Sequence, residues 1–560
     1  MRRLVPAVLA VAVVALIVGV VAGSGGGKHE RETVQRFATL WSRGDYAGMY
    51  RLLDERAQAG VTLSAFTAAY RAAAETATTR ALTVGKVSDR DGDVIPVEVA
   101  VRTRVFGTVR GMLDVPLSGE GETAKIAWRP QLVFPDLQPG EQLTRETALP
   151  PRGTLLARDG AVLAEGSDRT SAIPDVATQV VGRLEPIPAE QRSAMRALGY
   201  PDDAQVGASG LERVFQEQLA GEPGGRLLGG TRVLARSEPR AARPVHTTID
   251  PEIERTAIAM MGSRYGGISA IDPATGEILA LAGVAYSGLQ PPGSTFKIIT
   301  LTGALEEGIA KPDTQYPVVS EATLSGVAIQ NASGEYCGGS LVASFAHSCN
   351  SVFAPLGARL GAEKLVEVSE RFGFNRPVPI PGAATSTIPA AGEIGDDLAV
   401  GSSAIGQGLV QATALQMTLV AATIANGGKR PVPTLQLGAT PRFVRVTSPK
   451  IAHEVGKMMT EVVKDGTGGA AAIDGVTVAG KTGTAELRST VAPQDGSEAP
   501  DHQTDDIPDT DAWFVAYAPD RDPRVAVGVL FTEAGAGGDV AAPAAHDVLV
   551  TALQRRRATG

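Results

Sequence analysis

A run of 20 uncharged, mostly apolar residues, Leu4 to Gly23, stands just behind Met1-Arg2-Arg3. As a helix it is long enough to cross roughly 30 Å of hydrocarbon. Two arginines before it and the uncharged Ser24-Gly25-Gly26-Gly27 after it place the N-terminus inside and the body outside. The alternative is a cleaved signal peptide, because Val20-Val21-Ala22 ends in small residues. No second run of this length occurs, so everything after Lys28 is expected outside the membrane, as one large extracytoplasmic body.

That location decides how the cysteines read. Cys337 and Cys349 are the only two in the chain, in a compartment where disulfides persist, so a bridge is expected; the alternative is two buried thiols. With 52 basic against 61 acidic residues the net charge is −9, which argues against a nucleic-acid partner. Six histidines and no Cys-x-x-Cys leave little material for a zinc site.

A chain of 560 residues suggests three or four domains. Val34, Phe37, Ala38 and Trp41 recur at helical spacing, as do Tyr46, Met49, Tyr50 and Leu53, and Ala65 to Thr79 is an alanine-rich helix. The period then changes to two at Val97, Val99 and Val101, with Asp91-Gly92 as a turn. Helices followed by an antiparallel meander make a small α+β domain. Leu149-Pro150-Pro151 marks a boundary, and a mixed segment follows. From His246 onward, Ile268 to Leu281 reads as strand–turn–strand, Ile298 to Leu305 as an apolar helix, and Trp513–Tyr517 with Val525–Leu530 as a buried hairpin.

Three short patterns could carry chemistry. Ser294 and Lys297 lie one turn apart at the start of the apolar helix, where the helix N-terminus favours a developing alkoxide and burial would lower the lysine's pKa. Lys297 is then the base that activates Ser294. Ser348-Cys349-Asn350 is the only Ser-x-Asn, and Lys481-Thr482-Gly483 the only Lys-Thr-Gly. Ser348 could pass a proton, the Asn350 amide could hold a substrate carbonyl, and Lys481 could keep Lys297 neutral while attracting an anion. Gly483 would let ligand backbone approach closely, and the amides of Ser294 and Thr484 would form an oxyanion hole for acyl transfer.

Taken together and in this order, the three patterns resemble the serine-type set of penicillin-binding proteins and β-lactamases. Pro292-Gly293-Ser294-Thr295-Phe296-Lys297, Ala404-Ile405-Gly406-Gln407-Gly408, Asp465-Gly466-Thr467-Gly468 and Ala479 to Glu486 are similar to blocks of class B, monofunctional penicillin-binding proteins. The resemblance implies an α+β multidomain chain. It would comprise a tip and transmembrane helix (1–27), a nuclear-transport-factor-like spacer domain of the methicillin-resistance type (28–142), a pedestal or dimerisation domain (143–245) and a serine acyltransferase domain with an antiparallel sheet flanked by helices (246–560).

The same resemblance implies a peptidoglycan D,D-transpeptidase. Catalytic Ser294, Lys297, Ser348 and Lys481 would act with substrate-binding Asn350, Thr482, Gly483 and Thr484, without metal or cofactor. It implies stem peptides and β-lactams as ligands, the cell membrane as anchor and a many-span glycan polymerase as partner. The rival activities are D,D-carboxypeptidase or β-lactamase, in which water replaces the amine, and a β-lactam sensor. A class A lactamase would need a Glu-x-x-x-Asn block, which the sequence lacks, and sensors usually carry more spans than one. The acid-rich stretch Leu487 to Asp511 reads as a solvated loop, His347 as a packing or surface histidine, and Arg555-Arg556-Arg557 as a polar tail.

Overall fold

The structure, a computed structural model, describes residues 27–486 and 510–559. The apolar run 4–23 and the acidic residues Asp495 to Asp509 lie outside the described residues. Among the described residues no helix is long and apolar enough to cross a membrane. The chain divides into two compact units, one of residues 1–153, 184–206 and 216–243, the other of 154–183, 207–215 and 244–560.

The first unit opens with helix α1 (Lys28–Ser42), which buries Val34, Phe37, Ala38 and Trp41 along one stripe. The helical periodicity that continues past it belongs to a separate short helix. Gly44, at φ +70, breaks the chain, and the Asp45 carboxylate caps a new start by accepting from Gly48 N at 2.8 Å. Thr62 caps α2 (Leu63–Thr76) in the same way. Strands β1 (Thr79–Val87), β2 (Val94–Thr103) and β3 (Thr108–Ser118) follow as an antiparallel meander. Ile95, Val97, Val99 and Val101 of β2 are buried and alternate with half-buried or exposed residues, which fixes the register Val97↔Leu113 and Val101↔Val109. Phe37, Phe66 and Tyr70 close the core over the sheet. A second sheet, in the order β6-β5-β4, joins β4 (Leu143–Ala148), β5 (Gly224–Gly229) and β6 (Arg232–Ser237).

The second unit is built on a five-stranded antiparallel sheet. Helix α3 (Pro251–Met261) leads into β7 (Gly266–Ile271) and β8 (Ile278–Gly283). After a tight turn at 293–296 comes α4 (Lys297–Glu306), then β9 (Cys337–Ser340), α5 (Leu341–Ala346) and α6 (Asn350–Leu360). Helix α7 (Ala414–Ala425) precedes a small hairpin, β10 (Lys429–Pro431) and β11 (Phe443–Arg445), and α8 (Pro449–Lys464) follows. The last strands are β12 (Ala479–Glu486), β13 (Thr510–Ala518) and β14 (Val525–Phe531), and α9 (Gly537–Thr559) completes the unit.

The sheet order is β8-β7-β14-β13-β12, so β12 is an edge. Ala512, Phe514, Ala516 and Ala518 of β13 pack with Ala541, Ala542, Ala545 and Val548 of α9 and with Ile253 and Ala257 of α3. Small residues on both surfaces bring α9 close to the sheet. The other set of β13, Asp511, Trp513, Val515 and Tyr517, alternates with these and therefore faces the opposite side, the side that carries Lys481, Gly483 and Ala485 of β12. Asp511 departs from the solvated-loop expectation. It is fully buried at the start of β13, accepts from Glu533 N at 3.1 Å, and burial pushes its carboxyl up to about 6. Arg555 is likewise part of α9, donating to Asp250 at 3.3 Å.

Candidate active site

Ser294 lies on the single turn 293–296 that feeds α4, and Lys297 is the first residue of the α-helix proper. Two glycines let this turn pack against the edge strand. A Cβ on Gly293, which sits at φ +50, would come within 2.8 Å of the Thr484 carbonyl oxygen. A Cβ on Gly483 would lie 2.9 Å from the Pro292 oxygen, from Thr295 Cγ2 and from Trp513 Cβ. The space at Gly483 is thus filled by protein, and its missing side chain serves the contact between nucleophile turn and strand instead of ligand access. Ser294 itself is half-buried.

The second triplet occupies the link between α5 and α6. Ser348 takes a left-handed backbone, φ +60, uncommon for a non-glycine residue. Around it the chain is held on several sides. Cys349 is bridged to Cys337 of β9 with Cα atoms 5.5 Å apart, as the sequence led one to expect. Cys349 N donates to Ser344 O at 2.9 Å, Ser351 N to Asn331 Oδ1 at 2.8 Å, and Asn350 Nδ2 to Gln330 O at 2.9 Å. Asn331 in turn donates through Nδ2 to the carbonyls of Val319 and Glu335.

Both lysines are buried and meet at this link. Lys297 Nζ donates to Ser348 O at 2.6 Å and to Asn350 Oδ1 at 2.7 Å, with Ser348 Oγ at 3.3 Å. Lys481 Nζ donates to Ser348 Oγ at 2.9 Å and to Thr482 O at 3.1 Å. One hydroxyl therefore stands between two amines. Burial drives the Lys297 pKa well below the ordinary lysine range, and the positive charge of Lys481 lowers it further. Burial alone brings Lys481 down to about 7. A neutral Lys297 has two N–H groups, matched by the two short acceptors, and its lone pair is left to take a proton. Two aromatic rings flank the pair: Phe353 lies 5.7 Å from Lys297 Nζ and Phe345 lies 5.5 Å from Lys481 Nζ.

The remaining expected residues gather nearby. Thr482 shares a hydroxyl–hydroxyl bond of 2.5 Å with Thr467, and Thr484 Oγ1 accepts from Gly537 N at 3.4 Å. Asn350, expected to face substrate, is engaged at both ends of its amide, so its first task here is to hold Lys297. His347 is exposed. Sequence reading alone missed Asn331, Phe345 and Phe353, and it placed Thr467 in a family block without giving it a role. Only the two rings had a local signal, each lying three residues from a member of the triplet.

The profile of the penicillin-binding protein transpeptidase domain matches residues 266–550, that of an NTF2-like N-terminal transpeptidase domain matches 30–141, and that of a penicillin-binding protein dimerisation domain matches 165–229. Peptidoglycan D,D-transpeptidase PbpA of Mycolicibacterium smegmatis is 32% identical over 426 residues, covering 64% of this chain and 81% of that protein. Among solved structures, the D,D-transpeptidase domain of a peptidoglycan glycosyltransferase from Eggerthella lenta superposes with a TM-score of 0.58 at 28% identity, covering 73% of this chain and 99% of that one. Penicillin-binding protein A from M. tuberculosis, as its penicillin G acyl-enzyme complex, gives 0.56 at 28% identity, over 72% and 100%. A matched domain spanning half the chain, a relative aligned over most of its own length and a lysine–serine–lysine cluster at the sheet edge agree, and the chain belongs to the penicillin-binding protein transpeptidase family.

Proposed function

We infer that the protein is a serine-type peptidoglycan D,D-transpeptidase that cross-links D-Ala-D-Ala stem peptides and is acylated by β-lactams. The observation that carries the reading is Ser348 Oγ between Lys297 and Lys481, beside a serine-bearing turn packed on the β12 edge. Lys297 takes the proton of Ser294 as its Oγ attacks the penultimate D-Ala carbonyl. The new ester bond forms, the peptide C–N bond breaks, and the departing D-Ala amine takes a proton relayed by Ser348 and Lys481. An amine from a neighbouring stem then attacks the ester, an amide forms, and the proton returns to Ser294. Asn350 positions Lys297, while Thr482, Thr484 and the Lys481 charge orient the substrate carboxylate. A β-lactam opens on Ser294 without losing a fragment, so the leaving group stays and blocks the acceptor.

The reading extends to placement. Residues 1–27 form a cytoplasmic tip and a single membrane-spanning anchor, with a spacer domain (28–142), a pedestal (143–245) and the transpeptidase domain (246–560) on the extracytoplasmic side. Support comes from the charge-flanked apolar run and from a disulfide that belongs to an oxidising compartment. A many-span glycan polymerase is the membrane partner this arrangement would serve.

The test is acylation of the full chain in detergent by a fluorescent penicillin, beside Ser294→Ala, with the adduct located by peptide mass. An adduct on Ser294 lasting hours, absent from the variant, supports the transpeptidase. Rapid turnover indicates a lactamase. A folded chain left unlabelled and inert towards D-Ala-D-Ala peptides overturns the enzyme reading.

A further inference from the structure

From Leu398 to His453 the sequence holds no aspartate or glutamate, in a chain of net charge −9. The acid-free stretch includes the hairpin β10–β11, whose register sets Lys429 across from Arg445 and Pro431 across from Phe443. Residues directly opposite share a face, so Lys429, Arg445 and Phe443 stand on one side of the hairpin. Lys429, Arg442 and Arg445 are exposed, and Phe443 and Val444 keep 41% and 39% of their surface in solvent. Among the described residues none of these cations pairs with a carboxylate, whereas neighbouring acids are committed elsewhere: Glu306 to Arg371 and Thr447, Glu277 to Arg158, Glu370 to Asn375. Among the described residues Arg430, on the other face, has a buried Nε without a partner, and Arg376 lies close enough for its charge to be felt there. Of the arginines only Arg445 shares the face of Phe443. Its Nη1 donates to the Gly427 and Thr447 carbonyls and, among the described residues, to no carboxylate. With Lys429 it sets cationic charge beside an exposed aromatic ring, which suits an anion attached to an apolar face.

We propose that this hairpin docks the carboxylate-bearing glycan–peptide polymer at a point separate from the acyl-transfer site. The inference rests on the transpeptidase reading, which makes such a polymer the substrate. Each uncross-linked stem ends in a carboxylate that a guanidinium fork matches, and the sugar rings between stems offer C–H faces to the Phe443 ring. A bilayer is the poorer occupant: two apolar side chains on two three-residue strands present too little area to insert.

The experiment is co-sedimentation of the full chain, already acylated by penicillin to close the active site, with insoluble peptidoglycan. Wild type should sediment at about 50 mM salt, be released several-fold at about 500 mM as screening shortens the reach of the charges, and fail to bind polymer whose carboxylates have been amidated. Lys429→Glu/Arg442→Glu, at two exposed positions with no side-chain partner among the described residues, should lower the bound fraction about tenfold, and Phe443→Ser about threefold. Both variants should label with fluorescent penicillin at the wild-type rate. Wild-type binding by the double variant, binding indifferent to amidation, or co-sedimentation with phosphatidylglycerol vesicles but not with peptidoglycan would overturn the proposal. Loss of penicillin labelling in the wild type would instead overturn the transpeptidase reading.

Discussion

Lys297 and Asn350 are joined by a 2.7 Å hydrogen bond from the amine to the side-chain carbonyl. Because the acceptor is neutral, the bond orients the amine without holding a proton on it. A carboxylate there would favour the charged lysine and raise its pKa.

Asn350→Asp should therefore slow acylation at pH 7 by about 100-fold and displace the acid limb of its pH profile upward by at least about one unit. The measurement is the rate of fluorescent penicillin labelling from pH 5 to 10. An unshifted limb would show that another group governs the profile.

Gly483→Ala tests the contact between the nucleophile turn and the strand. The added Cβ would meet Pro292, Thr295 and Trp513 at 2.9 Å, closer than carbon atoms sit, and Pro292 and Trp513 are buried neighbours that cannot swing away. Acylation should fall more than tenfold, with a loss of about 1–3 kcal/mol in stability by thermal melting.

The bridge between Cys337 and Cys349 closes a separation of 12 residues. Cys337→Ser/Cys349→Ser should lose about 3 kcal/mol by restoring freedom to the unfolded chain. Acylation should drop as well, since the link that carries Ser348 and Asn350 loses one of its ties. Thermal melting and labelling rate report the two effects separately.

Glu254 is wholly buried in α3, accepts from Leu281 N at 2.6 Å and, among the described residues, has no partner for its other oxygen. Burial raises its carboxyl from 4.5 to about 7. A raised acid binds its proton more tightly in the folded state, so its contribution is intact below pH 4.5 and is lost as pH climbs to about 7. The expected loss is about 3 kcal/mol across that window. Glu254→Gln should remove this slope, so the melting temperatures of variant and wild type should converge at acid pH and separate in the variant's favour at pH 8.

The legible part of the site was what the chain writes locally. Ser294 with Lys297, Ser348 with Asn350, and Lys481 with Thr482 each sit within four residues, so spacing alone exposed them. The nuclear-transport-factor-like unit was equally open to reading, because helical and alternating periods along 28–118 report burial directly. What stayed hidden depends on partners far along the chain. Gly483 looked like room for ligand because nothing nearby in sequence announces that Pro292 and Trp513 fill the space. Asp511 looked like part of an acidic loop because its strand pairing with Ala485 is a tertiary fact. Asn331, which fastens the Ser348 link, has no motif at all.

The left-handed backbone at Ser348, φ +60, narrows what evolution can try there. Threonine carries the hydroxyl, but its β-branch makes this region of conformational space costly by about 1–2 kcal/mol. Glycine and asparagine accept the angle and bring no hydroxyl to set between the lysines. Serine is the one aliphatic alcohol without a branch, so the genetic drift that reshapes surface positions has no neutral neighbour to visit at this codon. A lineage escaping a β-lactam must therefore look elsewhere in the cleft.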